Sequence, residues 1–238
     1  MPKSIFFGAM RSLLLTFLCL LFSPASFAAD AVRWDSLRQP YFQHIPLDGP
    51  VSAFAQDREG FIWLVAGNVL WRWDAYQLAA AIAPANEAPL IIQTIKSDPD
   101  GEIWVGTGNG LFRLPHYSLH MQRVSVQALN SISIQHLAFD YSSGRKRVFI
   151  GGINKLFEWN MDSGVVITDG IGGTENNRIH ALQLDRTGQL WLGTTEGLQQ
   201  KTISGPASES LHPSRLWPDN TRVASLFTDQ ANKLWIGT

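Results

Sequence analysis

The stretch Ile179–Leu198, IHALQLDRTGQLWLGTTEGL, decides how the chain reads, because its pattern returns four more times. Two apolar residues three apart come first, then Asp, a short turn closed by Gly, an apolar-Trp-apolar run, Gly-Thr and Gly-Leu. The other copies are Val51–Arg72, Ile92–Arg113, Ile134–Phe157 and Val223–Thr238. Their turn-opening aspartates, Asp57, Asp98, Asp140, Asp185 and Asp229, stand 41, 42, 45 and 44 residues apart. A period of this size in strand-forming sequence predicts an all-β fold, a β-propeller of four-stranded blades. Counting copies gives about four complete blades plus a partial fifth.

Each copy makes sense as a hairpin. Asp185 can accept a bond from its own backbone two residues on, and Gly188 supplies the positive φ that re-enters the next strand. Gly60 and Gly101 sit at the same offset, with Asn232 in the last copy. The second strand carries Trp63, Trp104, Trp191 and Trp235, flat groups suited to the gap between radial sheets, and Phe149 in the third copy. Gly106, Gly151, Gly193 and Gly237 lie inside strands, where Gly signals close approach of another backbone. One Trp per copy at a fixed place is what packing requires, and this outweighs a ring of tryptophans binding sugar or cofactor. Trp191→Ala is therefore expected to cost stability and not turnover.

With 45% hydrophobic and 16% charged residues among 238, the chain is globular in composition, and its net charge of −1 excludes the basic balance of a nucleic-acid binder. Residues 1–28 have the form of a secretory signal: Lys3 and Arg11, the apolar run Ser12–Phe22, then Ser26-Phe27-Ala28 at the cleavage positions. Cleavage after Ala28 and a periplasmic mature protein, residues 29–238, are expected. An uncleaved anchor is disfavoured because Arg11 leaves a run well short of the roughly twenty residues that spanning takes. Cys19, the single cysteine, follows Leu18 where a lipoprotein signal wants a small residue, and it leaves with the signal.

No constellation for catalysis, cofactor or metal emerges, and the ligand-binding residues stay unknown. His116 and His120 could share a metal only on a helix, yet they follow Pro115 in strand-like sequence. Gly108-Asn109-Gly110 and Gly170–Gly173 lack the strand-to-helix setting and the Lys of a phosphate cradle. Arg145-Lys146-Arg147 reads as a solvated loop tip, with an anionic ligand as the lesser reading. The patterned carboxylates are turn formers, not an acid and base pair. Ala79–Ala83 is a candidate helical turn, and Gly205–Pro218 a surface loop.

The five copies resemble the two-component regulator propeller repeat, over about Tyr41 to Thr238. Phe42-Gln43-His44-Ile45, Asp48-Gly49, Gln56–Leu64 and Leu70–Tyr76 look like the first blade of such sensors in bacterial diguanylate cyclases and histidine kinases. The Asp-to-Gly and Asp-to-Trp spacings differ from those of sialidase and quinoprotein propellers. The resemblance implies a non-catalytic periplasmic ligand-sensing input module. Such a module is commonly followed by an immunoglobulin-like domain, a transmembrane helix and an output domain, none of which follows Thr238 in this sequence. Its expected partner is a small ligand or a periplasmic protein, with membrane contact only through such downstream segments. A stand-alone exported interaction scaffold is the alternative. The fifth copy stops at Gly-Thr, which predicts an open ring that associates when isolated. Strands near Val32–Trp34 and Tyr41–Ile45 completing the fifth blade are the other possibility.

Overall fold

The Asp-Gly turns and apolar-Trp-apolar runs fold as antiparallel hairpins, and two further strands complete most of the sheets. The computed structural model describes residues 45–87, 89–203, 214–215 and 221–238. The chain divides into two units, Met1–Pro46 and Leu47–Thr238, and the architecture described is that of the second. The signal segment and the strands expected near Val32–Trp34 and Tyr41–Ile45 lie outside the described residues, apart from Ile45, which is in no strand.

Four sheets have four strands each, in chain order. The first holds β1 (Val51–Gln56), β2 (Ile62–Ala66), β3 (Val69–Trp73) and β4 (Leu78–Ala80). The second holds β5 (Ile92–Ser97), β6 (Ile103–Thr107), β7 (Gly110–Leu114) and β8 (Gln122–Arg123). The third holds β9 (His136–Asp140), β10 (Arg147–Gly151), β11 (Lys155–Asn160) and β12 (Val166–Gly170). The fourth holds β13 (Ile179–Leu184), β14 (Gln189–Thr194), β15 (Gly197–Thr202) and β16 (Ser214–Arg215). The fifth has two among the described residues, β17 (Ser225–Thr228) and β18 (Leu234–Gly237). This is the expected count of four complete blades and a partial fifth. Leu78–Ala80 is a strand and not the expected helical turn, because it can pair with β3 through Trp71 and Trp73. Of the loop expected over Gly205–Pro218, Ser214–Arg215 is an edge strand, and the rest lies outside the described residues.

The first strands of consecutive sheets are neighbours, β1 beside β5, then β9, β13 and β17. Apolar clusters fill the gaps between them. Trp63, Val65, Ile95 and Phe112 lie between the first two sheets, Trp104, Leu137, Val148 and Trp159 between the second and third, and Phe149, Ile179, Leu190 and Leu192 between the third and fourth. The first and fifth sheets share no strand pairing. Phe54 on β1 is 78% exposed, and Phe227 and Trp235 on the fifth sheet 63% and 61%, so among the described residues both end sheets present uncovered apolar faces and the series is open.

Of the four in-strand glycines, Gly106 and Gly193 mark where one sheet's backbone crosses the next, whereas the atoms nearest Gly151 and Gly237 are side-chain atoms of His136 and Ser225. A Cβ on Gly106 would lie 2.7 Å from the carbonyl oxygen of Ile134, and one on Gly193 would lie 3.0 Å from that of Val223. At these crossings Ile134 and Val223 donate their amides to the carbonyls of Thr107 and Thr194, at 2.9 and 3.0 Å. The threonines serve the hairpin as well. Buried Thr107 and Thr194 donate their hydroxyls to the carbonyls of Gly110 and Gly197, at 2.8 and 2.9 Å, and accept from Asn109 and Glu196 amides. Gly-Thr is thus a turn cap joined to a crossing point.

Candidate functional site

The five sheets present two ends, one made of the Asp turns and the other of the residues that lead into each first strand. At the turn end each repeat aspartate is a clamp. Asp57, Asp98, Asp185 and Asp229 accept the indole N–H of Trp63, Trp104, Trp191 and Trp235 on Oδ2, at 2.7, 2.8, 2.9 and 2.9 Å. Their Oδ1 atoms accept the amides of Phe61, Glu102, Gln189 and Lys233 at 2.9–3.0 Å. Asp185 is held below the ordinary carboxylate range: burial pushes it up, but the bonds from Trp191, Gln189 and Thr187 outweigh that. A carboxylate already saturated with donors is a structural anion and a poor general base.

The third repeat has Phe149 in place of Trp, and there the guanidinium of Arg147 takes the clamp position. Arg147 Nε donates to Asp140 Oδ2 at 3.1 Å, and its Nη1 donates to Glu158 Oε1 at 3.3 Å and to the Ile203 carbonyl at 2.9 Å. Lys201 pairs with Asp169 and approaches Glu158 at 4.0 Å. Arg147 is buried in β10, not solvated at the loop tip as its sequence setting implied. The register opposes Arg147 directly to Asp140, which brings the cation into the gap between sheets.

A cavity of about 410 Å³ opens among the turns of the first three sheets, lined by Arg58, Asp98, Asp100, Glu102, Arg113 and Lys146 among others. Its charges are largely spent on one another. Lys146 bonds Asp100 at 2.7 Å, Arg113 faces Glu102 at 3.6 Å, and the Tyr141 hydroxyl donates to Asp98 Oδ2 at 2.9 Å. Burial and then the Asp98 bond push the Tyr141 phenol far above its usual range, so it stays a donor. His116 contacts Glu59 at 3.4 Å and His120 is exposed. His116 lies in a turn and His120 in an isolated bridge with Ile82, both ahead of β8 and on no helix. This network ties turns together.

The opposite end is different. Arg178 precedes β13 and Arg222 precedes β17, each seven residues before its repeat's Asp, and both are exposed. Backbone bonds bring them to the same turn. The Thr195 amide donates to the Arg178 carbonyl at 3.0 Å, the Arg178 amide donates to Thr195 Oγ1 at 3.2 Å, and Val223 donates to the Thr194 carbonyl at 3.0 Å. His180 Nε2 also lies 3.0 Å from Thr195 Oγ1. Partial burial, then the charges of Arg222 and Arg178, hold the His180 imidazole below its ordinary value. On the neighbouring strand, His136 donates from Nε2 to the Ile179 carbonyl at 3.1 Å. Burial lowers it to about 4 against that bond, with His180 and Lys96 lowering it further. Both imidazoles are therefore neutral near pH 7 beside two permanent cations.

None of the residues singled out in the sequence search forms this cluster. Its signal was available, since Arg178 and Arg222 stand at equivalent repeat positions where the other copies have Pro50, Ile91 and Ser133. The segment Gly170–Gly173 borders the same region. Gly172 accepts Asn177 Nδ2 at 2.9 Å, and Thr174 donates its amide to Glu196 at 2.8 Å.

Two segments, residues 87–109 and 173–196, match the family model described as two component regulator propeller. They hold the Asp turn and Trp strand of the second and fourth copies. No curated protein matches the chain. Among solved structures, the extracellular domain of a putative one component system from B. thetaiotaomicron is 25% identical, with a TM-score of 0.64 over 84% of this chain and 27% of that one. The extracellular domain of a putative hybrid two component system from the same organism is 26% identical, with a TM-score of 0.61 and the same coverage. Virginiamycin B lyase from Staphylococcus aureus, 12% identical with a TM-score of 0.62 over 82% of this chain and 66% of that one, shares the fold alone. The chain spans 27% of the length of the two extracellular domains. Fold and repeat define a β-propeller similar to these two extracellular domains. Its second and fourth repeats match the two component regulator propeller model.

Proposed function

We propose that the chain is a ligand-sensing, non-catalytic input module acting in the bacterial periplasm, exported with cleavage after Ala28. The observation that carries this reading is the match in repeat and fold to extracellular domains of signalling systems. The chemistry agrees with it. The repeat carboxylates are saturated by indole and amide donors, which leaves them unsuited to proton transfer, while the end that leads into the first strands offers two exposed arginines, Arg178 and Arg222, without an ion pair among the described residues. Sensing would work by differential binding. A ligand that favours one arrangement of the sheets shifts the population presented to an output partner.

The test is a thermal-shift screen of the exported chain against small anionic, neutral and cationic compounds, followed by NMR of each compound after incubation. Expected is a saturable rise in Tm with the compound unchanged, since a ligand at about 100 times its Kd stabilises by about 2.7 kcal/mol. Chemical conversion of the compound would make the chain an enzyme and overturn the reading. Intact-mass measurement on periplasmic extract is expected to give a species beginning at Ala29; a membrane-bound species retaining Lys3 would overturn the export reading.

A further inference from the structure

Several cations among the described residues are neutralised nearby. Arg123 pairs with Glu87, Arg113 with Glu102, Lys146 with Asp100, Arg147 with Asp140 and Lys201 with Asp169. Arg178 and Arg222 differ: among the described residues neither guanidinium has an ion pair, and they flank the same β14–β15 turn. The adjacent carboxylate, Glu196, accepts both the amide and the hydroxyl of Thr174. Both charges act on His180, and two exposed cations brought to one turn present a site for a counter-charge.

We propose that Arg178 and Arg222, with the imidazole of His180 and the hydroxyl of Thr195, form a binding site for a small organic oxyanion. The proposal rests on the sensing reading and names the ligand class for it. Guanidinium forks match carboxylate, sulfate and phosphate oxygens in bidentate geometry, and two forks give a charge-assisted grip that a neutral ligand cannot exploit. His180 and Thr195 add hydrogen-bonding groups, 3.0 Å apart, that fit hydroxyls borne on the same ligand. The position also suits a sensor, since Arg178 leads into the fourth sheet and Arg222 into the fifth, so one anion spanning both would fix the crossing at Gly193 and Val223.

The groups facing His180 are Arg178, Arg222 and Thr195, with His136 and then Lys96 beyond. A bound anion offsets the two guanidinium charges, so the His180 pKa moves back up toward 6.5 on saturation. Binding then tightens as pH falls through that range.

The experiment follows the His180 ring by NMR while the full exported chain is titrated with acetate, inorganic sulfate, inorganic phosphate and glucuronate, with glucose as the uncharged control. Expected is saturable movement of His180 with at least one anion and none with glucose. Each of Arg178→Ala and Arg222→Ala should weaken binding by roughly tenfold or more, the loss of a hydrogen-bonded charge contact, with Tm unchanged because both side chains are exposed. The ranking of acetate and glucuronate against sulfate and phosphate separates a carboxylate ligand from an ester. Anions that leave His180 unmoved, or that bind both variants as well as the parent, overturn the proposal. If His180 responds to a neutral compound alone, the anion class fails while the sensing reading stands.

Discussion

Trp104 and Trp235 occupy the same place in their repeats and make the same hydrogen bond, at 2.8 Å to Asp98 and 2.9 Å to Asp229, yet Trp104 is 1% exposed and Trp235 61%. The hairpin is thus specified locally, by Asp, the positive-φ turn and the indole six residues on. Burial is specified by the next sheet. Trp104 is covered by Phe139 and Trp159 of the third sheet, with ring centroids 5.6 and 6.2 Å away. The fifth sheet has no described neighbour beyond it. Trp191 stands between these cases and is only half-buried, and the sheet that follows it has two described strands.

Trp104→Ala should therefore be the most damaging change of this kind. A cavity at a fully buried aromatic costs on the order of 3–5 kcal/mol, and Asp98 also loses its indole donor. Chemical denaturation measures it. A loss no larger than that of Trp191→Ala would mean that the neighbouring sheet contributes little. The strong destabilisation expected for Trp191 from sequence is reduced accordingly.

Arg147→Ala tests the repeat that departs from the pattern. It leaves Asp140 and Glu158 buried without their shared cation, which costs roughly 3 kcal/mol, the lower end for a broken buried pair, because Ser142 still donates to Asp140 at 3.0 Å. An unchanged denaturation midpoint would show that Arg147 is not a substitute for the missing indole.

The hairpin was legible in the sequence because it is local: Gly60, Gly101, Gly188 and Asn232 all have positive φ, as the turn requires. The strand-crossing role of Gly106 and Gly193 was legible too, since Gly in a strand has few other uses. The Asp–Trp bond was missed although its six-residue spacing recurs four times, because hydrophobic periodicity directs attention to the ring and not to its N–H. The role of Arg147 was hidden by the lengthened hairpin, which disguises a strand residue as part of a charged loop tip. The Arg178–Arg222 pairing depends on which backbone follows Thr194 in space, and repeat alignment alone could have placed the two arginines at equivalent positions.

Between pH 6.5 and about 4, stability should fall through His136. Its folded value of about 4 lies below the ordinary 6.5, so its contribution is complete above pH 6.5 and is lost as pH falls toward 4. The limiting slope is about 1.4 kcal/mol per pH unit. His136→Gln, which keeps a donor for the Ile179 carbonyl, should flatten the Tm profile in this window. Asp140 and Asp185 are held low, so their losses begin only below the ordinary carboxylate value of 3.8. A variant whose profile matches the parent between pH 4 and 6.5 would refute the assignment.

Trp235→Ala should have the smallest effect. The substitution removes the indole's bond to Asp229, but that bond is exposed and is exchanged for water at little net cost. The ring covers no described sheet, so the change should fall within about 0.5 kcal/mol, as for other surface positions. The informative readout is association. Trp235 and Phe227 form the uncovered face of the fifth sheet, and Phe54 lies on that of the first. If these faces drive the chain to self-associate, removing Trp235 should shift sedimentation toward monomer while leaving the melting transition in place. A large loss of stability in dilute monomer would mean that the fifth sheet is covered by residues outside those described, and the contrast with Trp104 would then collapse.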